Sequence, residues 1–339
     1  MQLKSAPASL ASPAPCDPRQ LDLAIGGQAV IEGVMMRSPT AVATAVRNAA
    51  GRIVVRKRPF RSIVRRVPAL GVPVLRGGVH LIESLGIGLG ALTFAADQAA
   101  DDGPVAQARP RKPGETLLMW GTLVLSFVLG LGLFFYLPLV LTGLLGIEHS
   151  LWFNLVDGLF RIVIFVAYLW GISRLPDMAR VFQYHGAEHK TIHAFENGRE
   201  LTPAGARPFT TLHPRCGTSF LFFVMLISVV VFVFLGRPDT VGARLLRLAF
   251  VPLISGLAYE AIKLSGRFRG APALKPLIWP GLMLQRITTN EPDDAQLEVA
   301  MAALRAVLTP EEAGFRETIW EEPGEASAPP ASPGREGAP

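Results

Sequence analysis

From Thr116 to Ile147 the chain runs for thirty-two residues without one Asp, Glu, Lys or Arg. Crossing hydrocarbon takes about 20 apolar residues in a helix, and a soluble surface rarely tolerates so long an uncharged stretch. Three further runs follow. Leu151–Ser173 is broken only by Asp157 and Arg161, Thr218–Leu235 carries no charge, and Leu248–Ile262 carries only Glu260. With half of its 339 residues apolar, the chain reads as a mainly α, integral membrane protein rather than a soluble enzyme. Four transmembrane helices are expected, at 116–147, 151–173, 218–235 and 245–263, the last completed by snorkelling of Arg244, Arg247 and Lys263. Pro138, Gly143 and Gly146 are expected to end the first. Asp157 and Arg161 stand one helical turn apart and can pair.

Basic residues orient such a bundle. The segment before the first run is rich in Arg and Lys, 148–150 has none, 174–217 has six, and the part from Lys263 onward has eight. Both termini and the 174–217 loop therefore belong in the cytoplasm. Arg237, Arg244 and Arg247 count the other way, so a third and fourth helix that dip without crossing remain the alternative. Cys16 and Cys216 are too few for a disulfide scaffold and suit a reducing compartment. No secretory leader or lipoprotein cleavage site is expected in 1–18.

Outside the lipid, 1–20 and 323–339 are low-complexity tails too poor in apolar residues to fold. The region 21–115 reads as a small, partly β, basic cytoplasmic domain. Residues 41–47 and 52–58 form a hairpin about 48–51, and 23–36 can add strands. Leu81, Leu85, Leu89 and Leu92 mark an amphipathic helix over 75–99 lying on the membrane. Met1–Glu115 carries fifteen basic and eight acidic residues, a net +7 that suits anionic headgroups or an RNA surface. Asn290–Pro339 is net −8. Region 264–322 is expected to be helical: acids at 293 and 294 open a helix striped by Leu297, Met301, Leu304 and Leu308, and 309–312 restarts a short one.

The chemistry concentrates in 174–217. His185, His189 and His193 recur every fourth residue, spreading over about 80° of a helix, and Glu196 returns to the middle of that stripe. A histidine pair one turn apart can hold one divalent ion. His185-x-x-Glu188-His189 is also the spelling of the inverted zinc-protease motif, in which the glutamate is the general base. His213 and Cys216, three apart before the third membrane helix, add an imidazole and a thiol of the kind zinc accepts. One zinc-like ion is expected on His185 and His189, with further ligands drawn from His193, Glu196, His213 and Cys216. Lys190 should point away. His80 and His149 look isolated. Glu32 can pair with Arg37 or reach the histidine cluster, and the ion pair is the preferred reading. The glycines of 26–33 do not fit a phosphate loop or a dinucleotide fingerprint.

Several segments resemble an uncharacterised bacterial membrane family, the domain of unknown function 1385. They are 26–39 (GGQAVIEGVMMRSP), 83–85, 180–196 (RVFQYHGAEHKTIHAFE), 213–221 (HPRCGTSFL), 254–260 (ISGLAYE) and 280–292 (PGLMLQRITTNEP). The resemblance runs from about residue 22 to 308. It implies an integral membrane protein whose histidine motif is cytoplasmic, and members are labelled predicted metal-dependent enzymes. Position by position, His185, Glu188, His189, His193, His213 and Cys216 are the matching motif residues.

Two functions follow as expectations. One is a metal-dependent membrane enzyme, most simply hydrolytic, with Glu188 as catalytic base. The other is a non-catalytic factor in membrane-protein assembly or ribosome and translocon association, with a structural metal or histidine network. Membrane lipids are partners in either case, and DNA is not expected.

Overall fold

A computed structural model describes residues 25–100, 113–267, 275–308 and 316–320. The expected tails, and the short helix expected at 309–312, lie outside them.

The strands come first. β1 (Gly26–Val30), β2 (Gly33–Arg37), β3 (Ala41–Arg47) and β4 (Ile53–Pro59) form an antiparallel meander. Later in the chain β5 (Arg316–Trp320) pairs with β4, where a helical region was expected. Its Thr-Ile-Trp run favours an extended, pleated surface over a helix. Alternation along the strands serves two covers at once. Val34, Met36, Ala43, Ala45, Ile53 and Val55 pack under two helices, Pro176–Glu196 and Asp294–Leu308. Val30, Met35, Val42, Val46 and Val54 pack against Ile87, Ala91, Phe94 and Ala95 of α1 (Leu75–Ala100).

That second cover uses the basic strand. Arg56 donates to the Gly90 carbonyl (2.9 Å) and lies 3.9 Å over the Phe94 ring, so it is not a free member of a positive surface.

The first apolar run does not stop at Pro138. α2 (Pro113–Leu131) passes through a π-helical turn at Gly132–Tyr136 into α3 (Leu137–Leu144). The Leu137 amide reaches back five residues to Gly132, and this widened turn tolerates the proline, which has no N–H to give. α4 (Ser150–Ile172), α5 (Pro176–Glu196) and α6 (Gly217–Leu235) follow. The fourth expected span is two helices, α7 (Val241–Ala249) and α8 (Val251–Arg267). α9 (Lys275–Thr288) joins the bundle, and α10 (Asp294–Leu308) returns to cover the sheet. α10 opens with a reciprocal cap: the Gln296 amide donates to Asp293 Oδ1 (2.8 Å) and the Asp293 amide to Gln296 Oε1 (3.0 Å).

Among the described residues five helices are long and apolar enough to cross a membrane: Leu75–Ala99, Leu117–Leu144, Ser150–Ile172, Gly217–Leu235 and Val241–Leu264. The fifth candidate, beyond the four read from charge-free runs, is α1. Its glycine-rich first half packs on α8, where a Cβ on Gly77 would meet Gly256 Cα at 2.8 Å. Arg76 and Glu260 pair across the same contact, with Nε 2.6 Å from Oε1. Its second half carries the sheet.

At the end of the bundle away from the sheet, Asp157 and Arg161 pair as expected, at 2.9 Å. Each of the three arginines that disturbed the charge count makes a bond within the protein, and one of them is buried. Arg247 is buried and donates to Asn154 Oδ1 (2.6 Å), Arg237 donates to the Ile147 carbonyl (2.9 Å), and Arg244 to the Pro238 carbonyl (3.3 Å).

Candidate metal centre

Four segments meet beside the sheet: the middle of α5, the loop before α6, the end of α9, and β1. α5 starts on a proline with Asp177 in its first turn, where the helix dipole favours an acid. Further along, Gly186 permits an unusually close approach, since a Cβ there would stand 2.0 Å from the Asn290 carbonyl oxygen. The Asn290 amide in turn donates to the Phe182 carbonyl (2.9 Å), so the chain leaving α9 is stitched along α5.

That contact fixes the first histidine. His185 Nδ1 is 2.7 Å from the Thr288 carbonyl oxygen, and His189 Nδ1 is hydrogen-bonded to the Thr211 carbonyl. A carbonyl only accepts, so both rings carry their proton on Nδ1 and turn the Nε2 lone pair inward. His185 Nε2 is 3.2 Å from Cys216 Sγ, and His189 Nε2 is buried with no hydrogen-bond partner. The ligand atoms of His185, His189 and Cys216 all lie within 4.8 Å of one another. A tetrahedral zinc would need separations of about 3.4–3.6 Å, so small rotations complete the site. Backbone carbonyls that fix the outer nitrogen are the usual support of metal-bound histidines. The residues fit a divalent, borderline-soft cation.

Electrostatics favour the same triad. Burial lowers the pKa of His189, keeping it neutral and able to ligate. Burial pushes the Cys216 thiol up, but His189 and Thr218 outweigh it and the net shift is downward. Cys216 caps α6, and its sulfur accepts from the Thr218 amide at 3.4 Å. Glu188 lies beside the triad, 5% exposed. Burial pushes its carboxyl up to about 7, opposed by His185 and by the Gly27 N–H, with Cys216 adding to the rise. Gly27 is required here, because a Cβ on it would come within 2.9 Å of the Glu188 carboxyl.

Of the remaining sequence candidates, His193, Glu196 and His213 gather in a second group. It is wired differently. His193 Nε2 faces the Leu212 carbonyl at 2.9 Å, His213 Nδ1 accepts from the Arg215 amide at 3.3 Å, and Glu196 forms an ion pair with Arg215. His213 Nε2 stands 3.7 Å from Glu196. Lys190 points away as expected, to the Arg207 carbonyl (3.0 Å) and to Glu291.

Two expectations are corrected. Glu32 pairs with Arg180 and Tyr184 instead of Arg37, because the tight β1–β2 turn aims it at α5; Arg37 pairs with Glu83. His80 is not isolated, since its Nδ1 is 3.2 Å from Glu83. Sequence reasoning missed Gln285, fully buried in α9, whose amide brackets the His213 peptide: Oε1 accepts from the His213 N–H (2.7 Å) and Nε2 donates to its carbonyl (2.9 Å). Its signal was an amide set directly after the apolar run Leu282-Met283-Leu284.

The class is a helical membrane protein with an antiparallel sheet and a buried His/Cys cluster where the sheet meets the bundle. The chain belongs to the family described as Protein of unknown function (DUF1385), whose model matches residues 72–310. It is similar to the Uncharacterized protein YqhQ of Bacillus subtilis (strain 168), with 33% identity over 296 residues, 84% of this chain and 92% of that protein. No solved structure matches.

Proposed function

We propose that this protein is a metal-dependent membrane hydrolase working at the cytoplasmic face of a bacterial inner membrane. The observation that carries the reading is the convergence of two Nε2 lone pairs, each freed by a peptide carbonyl, on the Cys216 sulfur. His185, His189 and Cys216 would hold one divalent cation, zinc by donor chemistry. Three protein ligands leave a tetrahedral position open, as catalytic sites do. A cation there supplies Lewis-acid polarisation of a substrate carbonyl or phosphoryl oxygen. Glu188, poised near neutrality, takes the proton of the attacking water and returns it to the leaving group, so an acyl or phosphoryl bond breaks as the C–O or P–O bond to water forms. The basic-residue asymmetry supports four crossings with both termini inside, and of the arginines that count against it Arg247 is buried and bonded to Asn154.

The test is elemental analysis of untagged protein purified without chelator after metal-replete growth. About one equivalent is expected, lost in His189→Ala and Cys216→Ser and kept in Glu188→Gln. Less than about a tenth of an equivalent in the parent, or full retention in His189→Ala, defeats the assignment.

A second reading has its own support. His185, His189 and His193 each bind a backbone carbonyl and act as struts between α5 and its neighbours. In that reading the cluster is structural and the protein is an assembly or ribosome-associated factor. Full cellular function of Glu188→Gln with metal retained selects it.

A further inference from the structure

An apolar groove of about 390 Å³ opens between α4 and α9, walled by Ile162, Val163, Val166, Ala167, Trp170 and Ile287. We propose that it holds an acyl chain of an anionic, phosphate-bearing lipid and presents that lipid's headgroup to the His185–His189–Cys216 triad. The presentation rests on the hydrolase reading; occupancy of the groove does not.

Three observations specify the occupant. The six wall residues are apolar, and five of them belong to a helix long and apolar enough to cross the membrane, so hydrocarbon is the material at hand. The volume is in the range of small-ligand sites. At roughly 30 Å³ per small group, the share of one liquid water, it accepts about a dozen methylene-sized units. One wall ends in a cation: Arg174 stands 4.8 Å over the Trp170 ring, and Arg286, the exposed chain neighbour of Ile287, is the next cation along α9. An apolar trough ending in guanidinium groups matches an anionic amphiphile better than a neutral one.

The groove also ends near the chemistry. Ile287 is followed by Thr288, whose carbonyl fixes His185 at 2.7 Å. A chain lying along Ile162–Trp170 toward the sheet therefore brings its polar end to the segment that orients a proposed ligand. The substrate class that results is a membrane lipid carrying a hydrolysable ester or phosphoester at the headgroup.

The experiment uses the full chain in nanodiscs doped with phosphatidylglycerol bearing a diazirine near the end of one acyl chain. A phosphatidylethanolamine probe is the zwitterionic arm, and a soluble glycerophosphate probe asks whether the headgroup alone suffices. Expected is labelling within 162–170 and at 287, at least fivefold stronger for phosphatidylglycerol. Val166→Trp, which fills the trough, should cut it tenfold with metal content unchanged; Ala167→Phe serves if that variant does not fold. Arg174→Gln with Arg286→Gln should abolish the headgroup preference. Labelling spread evenly to Phe127 and Val128 on α2, no preference between lipids, strong labelling by the soluble probe, or a transmembrane peptide cross-linked in place of lipid each overturns the proposal. Metal absence with groove labelling intact sinks the hydrolase alone.

Discussion

Gly186→Ala tests the architecture of the site without touching a proposed ligand. A Cβ at 186 would stand 2.0 Å from the Asn290 carbonyl oxygen, whereas ordinary contact begins at 3.4 Å, so α5 and the end of α9 must part by about 1.4 Å. The His185 to Thr288 separation of 2.7 Å would open to about 4 Å, beyond hydrogen-bond reach. Overpacking costs about 1–3 kcal/mol and the lost bond about 1 kcal/mol, for a total of roughly 2–4 kcal/mol. At about 2–4 °C per kcal/mol for a domain this large, the unfolding midpoint should fall by roughly 5–15 °C. With its outer nitrogen released, His185 should also hold metal about 10–100-fold more weakly, the usual effect of losing a supporting partner. The assays are thermal unfolding followed by tryptophan fluorescence in one detergent, and competition with a zinc chelator. An alanine variant that melts within about 2 °C of the parent and binds metal within threefold would refute the reasoning.

Asp157→Asn leaves Arg161 and Arg247 buried without their shared carboxylate, a loss of about 3–5 kcal/mol that should appear as sharply reduced membrane accumulation and early melting. Glu32 is held below the usual carboxylate range chiefly by the Arg180 hydrogen bond. Its contribution is therefore complete above the unfolded value of 4.5, is lost as pH falls through the lower folded value, and is absent at every pH in Glu32→Gln. For so exposed a pair the loss is about 0.2–1 kcal/mol, read from melting between pH 3 and 7. Single-cysteine labelling of Phe195→Cys, in a background without Cys16 and Cys216, should require permeabilised cells; labelling from outside intact cells reverses the topology.

Four of the five candidate membrane helices were legible because hydrocarbon imposes one rule, continuous apolar length, that any reader of the chain can count. The hairpin of β3 and β4 was legible for a comparable reason, its alternation bracketing a turn closed by Gly51 at φ 79°. Other features depend on which elements become neighbours. α1 carries enough apolar residues to lie on a membrane, cross it or cover a sheet. Only the placement of Ile87, Phe94 and Ala95 on the strands shows that half of it is a cover. Arg56 illustrates the same limit, since a strand arginine reads as solvent-facing until Phe94 arrives beneath it. The first span ends at Leu144, beside the expected Gly143 and Gly146, but Pro138 does not stop it, because a π-helical turn, which has no simple spelling, lets the proline sit just after it.

The histidine stripe shows how far spacing alone can carry a site. Residues four apart on a helix stand about 6 Å apart along its axis, and two imidazoles can lean together over that distance. Residues eight apart are separated by about 12 Å, which one ion with bonds near 2 Å cannot easily span. His185 and His189 therefore converge, with ring centroids 4.5 Å apart, while His193 lies nearer His213, at 4.7 Å. What the helical spacing could not supply was how Cys216 joins the pair. Cys216 reaches the pair because the loop after α5 folds back to bond His189 and His193 through the carbonyls of Thr211 and Leu212. Those bonds fix the loop where α6 begins, and the Thr218 amide then meets the Cys216 sulfur. The bonds that place the Cys216 sulfur thus also free His189 Nε2. A variant that loosens the loop without altering a ligand, Gln285→Leu, should weaken metal binding and the low thiol pKa together. Separate loss of either, measured by chelator competition and by the pH dependence of Cys216 alkylation in metal-free protein, would break that link.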